Sequence, residues 1–129
     1  MDAIMITGGQ GFTGRHITQR LAAGGRRVIS YNREFAAGED GAHGVQGELF
    51  DVPRLVRVLK EHRIEQIVHT AAMSHPTLSL DFPFATFAAN VEGTLSLLEA
   101  ARLADVRRVV NFSSEAVYGA TAGPLTEEV

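Results

Sequence analysis

Eight residues near the N-terminus, TGGQGFTG from Thr7 to Gly14, constrain this chain more than any other stretch. They follow a short apolar run, residues 3–7, and lead into residues 11–23, where Ile17 and Leu21 stand four apart as on one helix face. The order is strand, glycine-rich turn, helix. Read from Gly9 the turn fits GxGxxG, and Gly8, Gly11 and Gly14 fit GxxGxxG. Glycine at such positions permits a tight turn, close approach of backbone to a phosphate, and close packing of helix on strand. The N–H groups and positive end of the helix then suit a pyrophosphate. A P-loop is disfavoured, because Arg15 and His16 follow Gly14 and the only lysine is Lys60, so GxxxxGK[ST] is not met.

The rest of the chain alternates strand and helix. Gly24 and Gly25 are expected to end the first helix in a left-handed conformation, and residues 27–31 to form a second strand. Residues 36–44, AAGEDGAHG, read as a surface loop, and residues 45–49 as a short strand. Asp51 is placed to cap a helix in which Val52, Leu55, Val56 and Leu59 share a face and Pro53 sits in the first turn. Residues 66–70 predict a fourth strand. A long helix opened by Pro83 follows, with Phe84, Phe87, Ala88, Val91, Leu95 and Leu98 on one face, and residues 109–112 predict a fifth strand. Such alternation implies a parallel α/β sheet.

Composition removes several function classes. No apolar run in the 129 residues is long enough to cross a bilayer, and residues 1–9 lack the basic and apolar regions of a secretory leader. A cytoplasmic protein with no membrane partner is expected. The chain has no cysteine, hence no disulfide and no thiolate site, and its five histidines show no ligand spacing, so no metal is expected. A formal charge of −3 gives no overall attraction to a polyanion, and no nucleic acid partner is expected.

TGGQGFTG resembles the TGxxGFxG fingerprint of the extended short-chain dehydrogenases/reductases, the NAD-dependent epimerase/dehydratase family. Further motifs occur in that family's order. Gly47-Glu48-Leu49-Phe50-Asp51 is similar to its GDxxD, with Glu48 in place of Asp; Val68-His69-Thr70-Ala71-Ala72 to VxHxAA; Asn90-Val91-Glu92-Gly93-Thr94 to NVxGT; and the stretch from Ser113 to Gly119 to SSxxVYG. The resemblance spans essentially all 129 residues. It implies a Rossmann-type doubly wound parallel sheet with helices on both faces, in which residues 1–129 form an NAD(P)-binding domain.

It also implies a site. Gly8, Gly11, Phe12, Thr13 and Gly14 would hold the dinucleotide phosphates, Asn32 and Arg33 would lie at the adenosine ribose, and Glu48 and Leu49 beside the adenine. Ala71 and Ala72 would let the backbone run along the cofactor, and Asn90 and Ser113 would complete the cofactor side. Ser114, four residues before Tyr118, would be the catalytic serine. Several alternatives stand beside these roles. Arg33 would meet a 2′-phosphate with a cation and so tilts the cofactor toward NADP; with Arg33 as a solvated loop residue, Glu34 would be the ribose ligand and NAD remains open. Asn90 either faces inward or lies on the exposed side of its helix, and the serine pair is in isolation ordinary turn chemistry. His69 reads as a residue that orients backbone rather than as a general base, Asp51 as a helix cap, and Gly93 as a point of close packing against a strand.

The family's Tyr-x-x-x-Lys pair is absent from this sequence: Ala122 stands four beyond Tyr118, Phe35 four beyond Tyr31, and Lys60 has no tyrosine four before it. The resemblance therefore implies a truncated, N-terminal portion that is inactive alone, from a full-length enzyme acting on a nucleotide sugar or related hydroxyl or keto compound, commonly as a homodimer. The alternative function is a non-catalytic NAD(P)-binding sensor or interaction module.

Overall fold

The structure, a computed structural model, describes residues 2–34 and 39–128. Five strands form one parallel sheet in the order β3-β2-β1-β4-β5: β1 Ala3–Thr7, β2 Arg27–Asn32, β3 His43–Gln46, β4 Ile64–His69 and β5 Arg108–Asn111. The chain winds outward from β1 to β3, then returns to place β4 against the other side of β1, with Thr7 opposite His69. That reversal opens a crevice at the carboxyl ends of β1 and β4, where ligands bind in open sheets of this kind.

β1 is buried along its whole length, and its side chains alternate between two cores. Ala3 and Met5 join Ile29, Tyr31, Leu55, Val58, Leu59, Ile67, Leu97 and Ala100 beneath the helices α2 (Val52–Glu61) and α5 (Gly93–Leu103). Ile4 and Ile6 join Val28 and Ala42 on the opposite face, packed by Ile17 and Leu21 of α1 (Phe12–Ala23). Helices thus cover both faces, as the doubly wound reading requires.

Local expectations hold at several points. Gly25, with φ +80°, carries the left-handed end of α1, and Arg26 N–H donates back to Leu21 O at 3.0 Å. Asp51 caps α2 by accepting from Arg54 N–H at 3.1 Å, and Pro53 sits in its first turn.

Three expectations need correction. The third strand is His43–Gln46 and not residues 45–49. The ladder ends at Gln46 because its partner Asn32 is the last residue of β2; Gly47 then lies on the ring of Tyr31, where a Cβ would stand 2.1 Å from the hydroxyl oxygen. Second, the long helix is segmented, and a short helix α3 (Pro76–Asp81) precedes it. It starts as α4 (Pro83–Phe87), passes through a π-helical turn Ala88–Glu92, and continues as α5. Its large apolar stripe is not the core face: Phe84 is 83% exposed and Leu95 60%. The buried residues of α5 are instead Gly93, Leu97, Ala100 and Ala101, of which Leu97, Ala100 and Ala101 enter the core shared with α2 and the sheet. Third, Gly93 packs against the Leu49 side chain, whose Cδ1 would lie 3.1 Å from an added Cβ, and not against a strand. Of the expected loop 36–44, residues 36–38 lie outside the described residues; a 3-10 turn Glu39–Gly41 precedes β3.

Candidate functional site

The glycine-rich turn folds back on itself at the end of β1. Gly8 adopts φ +69°, and an added Cβ there would meet the backbone of Ala71 at 2.9 Å. Gly11 N–H donates to Gly8 O at 3.0 Å, and Gly14 lies so close beneath that its Cβ would stand 2.1 Å from the same oxygen. A left-handed residue and two contacts with no room for a methyl group account for Gly8 and Gly14, while a Cβ on Gly11 would lie a tight 3.3 Å from Gly8 O. Gly11 begins α1 with no side-chain cap, which leaves the N–H groups of Phe12, Thr13 and Gly14 as donors for an anion.

A cleft of about 280 Å³ opens beside this turn. Of the residues predicted for the site, Gly8, Asn32, Arg33, Glu48, Leu49, Ala71 and Ala72 line it, joined by Tyr31, Gly47, Phe50, Met73 and Ala89, which sequence reasoning missed. Gly11, Phe12, Thr13 and Gly14 stand at the helix start instead of in the cleft wall. Glu34 is not part of the lining. Tyr31 supports the wall from below: its hydroxyl donates to Glu48 O at 2.8 Å. Burial, against the opposing pull of Arg54, pushes the phenol up to about 12, so it stays a donor at neutral pH.

His69 lies behind the crevice in a hydrogen-bond relay whose polarity can be worked out. The Thr94 hydroxyl donates to Asn90 O at 2.7 Å, so its oxygen accepts from His69 Nε2–H at 2.9 Å. His69 Nδ1 is then the acceptor for the Thr7 hydroxyl at 2.6 Å, and Thr7 Oγ1 in turn accepts from Ala71 N–H at 3.4 Å. Only a neutral imidazole satisfies this chain. Burial holds the His69 pKa below its usual 6.5, which agrees. His69 therefore ties β1, β4 and α5 together and orients the backbone at Ala71.

Asn90 sits in the π-helical turn, a departure from α geometry that often marks a site. Its amide is spent on backbone: Oδ1 accepts from Met73 N–H at 2.8 Å, and Nδ2 donates to Met73 O at 3.0 Å. It fixes the segment after β4, while its neighbour Ala89 lines the cleft.

Ser113 and Ser114 follow β5 at the same edge of the sheet and border a second, more open cleft with Glu115, Val117, Tyr118, Leu125, Thr126 and Glu127. Ser114 caps a 3-10 turn, Glu115–Tyr118, its Oγ accepting from Ala116 N–H at 3.1 Å. Both serines are exposed.

The glycine turn at the β1–β4 reversal, with small residues at the end of β4, decides the kinship, and the comparisons agree. The profile of the NAD dependent epimerase/dehydratase family matches residues 4–129. The chain belongs to that family. Among its relatives, the UDP-glucose 4-epimerase of Mycolicibacterium smegmatis is 36% identical over 97% of this chain and 43% of the relative. The dTDP-glucose 4,6-dehydratase of Xanthomonas campestris pv. campestris is 33% identical, over 98% of this chain and 42% of the relative. The crystal structure of UDP-glucose 4-epimerase from Brucella ovis in complex with NAD superposes with a TM-score of 0.92 at 30% identity, covering 99% of this chain and 41% of that one. The chain spans less than half the length of these family members. Its fold is the Rossmann-type sheet of the epimerases.

The residues present fit the family's dinucleotide. The uncapped start of α1 and glycines with no space for a side chain suit a pyrophosphate. The small residues Ala71 and Ala72 line the same cleft as Glu48. Among the described residues no helix is long and apolar enough to cross a membrane.

Proposed function

We propose that residues 1–129 form the dinucleotide-binding unit of an epimerase/dehydratase-type oxidoreductase whose substrate is a nucleotide sugar or a related hydroxyl or keto compound. The observation that carries this reading is the uncapped, glycine-lined start of α1 opening beside the cleft of Asn32, Arg33, Glu48, Ala71 and Ala72. When bound, a nicotinamide ring supplies uptake and return of a hydride. The chain's own residues bind and orient: the N–H groups of the first α1 turn hold phosphate oxygens, Asn32 and Arg33 meet the adenosine ribose, and Glu48 and Leu49 flank the adenine. Asn90 and His69 hold the backbone from residue 69 to 73 in place. Ser113 completes the cofactor side, and Ser114 is the side chain that hydrogen-bonds the reacting substrate oxygen.

No tyrosine and lysine in these residues have the spacing that would take up the substrate proton. This chain by itself therefore binds dinucleotide without turnover. A cytoplasmic setting and, for the full-length enzyme, a homodimer using the exposed apolar stripe of the long helix belong to the same reading. Isothermal titration of the chain with NAD and NADP tests it. Saturable binding at one site per chain is the expected result, and the absence of heat and of thermal stabilisation with either nucleotide would refute it.

A further inference from the structure

Thr70, the residue after β4, is half-buried, and its hydroxyl reaches away from its own strand. It donates to Thr7 O at 2.7 Å and more weakly to Gly8 O at 3.4 Å. Both acceptors stand where β1 passes into the glycine-rich turn. The same oxygen lies 3.2 Å from where a Cβ on Gly8 would be and 2.8 Å from where one on Gly14 would be. One hydroxyl therefore abuts the end of β1, the first glycine of the turn and the first turn of α1.

Neither carbonyl depends on this hydroxyl for a partner. Thr7 O also accepts from Thr70 N–H at 3.2 Å, and Gly8 O from Gly11 N–H at 3.0 Å. Its removal orphans neither acceptor, so little stability is at stake. What the hydroxyl adds is direction. Gly8 lines the first cleft and has φ +69°, and a glycine can turn its peptide planes at low steric cost. Its N–H is held on the β2 side by Tyr31 O at 3.0 Å, and its carbonyl is held on the β4 side by Thr70. A rotation of the Gly8–Gly9 peptide would take the oxygen out of that hold. The negative end of a carbonyl opposes a phosphate, where an N–H attracts it.

We propose that Thr70 is a positioning residue for the pyrophosphate of the bound dinucleotide, its hydroxyl keeping the Gly8 carbonyl turned inward and the glycine-rich turn fixed against β4. Thr70 is not part of the cleft wall, so it acts through the turn and not by touching the ligand. The inference rests on the reading that the cleft holds an adenine dinucleotide, and its test separates the two.

The test compares the unaltered chain with Thr70→Ala, which removes the hydroxyl, and Thr70→Ser, which keeps it and drops only the methyl group. Each is titrated calorimetrically with NAD, and by NMR with adenosine, which shares the nucleoside end but carries no phosphate. A circular dichroism melt of each protein establishes that it is folded. NAD should bind Thr70→Ala about tenfold more weakly, or about 1.4 kcal/mol, while adenosine stays within about twofold. Thr70→Ser should bring NAD affinity back to within about threefold of the unaltered chain. NAD affinity untouched in Thr70→Ala, a loss shared equally by adenosine, or a serine no better than alanine would each overturn the positioning role and leave dinucleotide binding intact. A Thr70→Ala chain that no longer folds would do the same, because it would make Thr70 a structural residue. Failure of the folded, unaltered chain to bind NAD would overturn both.

Discussion

The two ends of the candidate site share one sheet edge but are built differently. Behind the proposed dinucleotide cleft, Thr7, Tyr31 and His69 are buried and linked by hydrogen bonds to backbone or to one another. Gly8, Gly9 and Gly14 of the turn leave no room for even a methyl group. Beyond β5, residues 112–128 are all exposed, and the Ser114 side chain is held by one local bond to Ala116 N–H. A surface that binds through backbone N–H groups needs its backbone fixed, and here the strands β1, β2 and β4 fix it. The serine end has its residue types in order but only turn chemistry to position them. Within this chain the proposed cofactor end is preorganised and the proposed reacting end is not.

That contrast can be broken most forcefully at Gly14. Gly14→Ala sets a Cβ against Gly8 O, and should cost about 3 kcal/mol and abolish nucleotide binding, as overpacking between a helix and its own turn. Urea denaturation measures it; a loss below about 1 kcal/mol would mean that the turn yields and is not rigid. Gly47→Ala comes next. The new methyl group must displace the Tyr31 ring, for an expected loss of about 2 kcal/mol and weaker binding at the adenine end. Tyr31→Phe removes only the hydroxyl that Glu48 O accepts from, and about 1 kcal/mol should go with it.

The His69 relay supplies a pH test. Burial lowers the His69 pKa below 6.5 in the folded chain, so the folded state binds fewer protons than the unfolded one as the medium turns acid. Its contribution to stability is full above about 6.5 and is lost as pH falls toward and through the lowered value. His62 is shifted the same way, first by its own burial and then by His43. His69→Gln should therefore be less stable than the unaltered chain at pH 7 but lose less on acidification, with the remaining slope due to groups such as His62; parallel pH profiles would rule out the relay as described. The smallest effect is reserved for the other region. Ser114→Ala should change stability by no more than about 1 kcal/mol, the scale of a cap on an exposed turn, and leave adenine nucleotide affinity unaltered.

Much of this architecture is legible in the sequence because its causes are local. The glycines, the Asp51 cap and the alternation of strand and helix each follow from neighbouring residues. What escaped depends on contacts distant in sequence. The early end of β3 follows its partner strand, which stops at Asn32, and the polarity of the His69 relay needs Thr7 and Thr94. The long helix misleads for a different reason: hydrophobicity marks Phe84, Phe87, Val91, Leu95 and Leu98, which are exposed, while Leu97 and the small residues Ala100 and Ala101 enter the core. Tyr31, Met73 and Ala89 in the cleft wall carry no motif of their own. The period of strand β2 could have pointed to Tyr31, since its alternate residue Ile29 faces the same core.

Hydrogen exchange on the chain with and without saturating NADP addresses the central contrast most directly. Binding should slow exchange at the amides of residues 8–14, 32–33, 47–49 and 71–73, and leave residues 113–118 exchanging as fast as before. Protection confined to residues 113–118, or nowhere in the glycine-rich turn, would contradict a preorganised dinucleotide cleft at the end of β1.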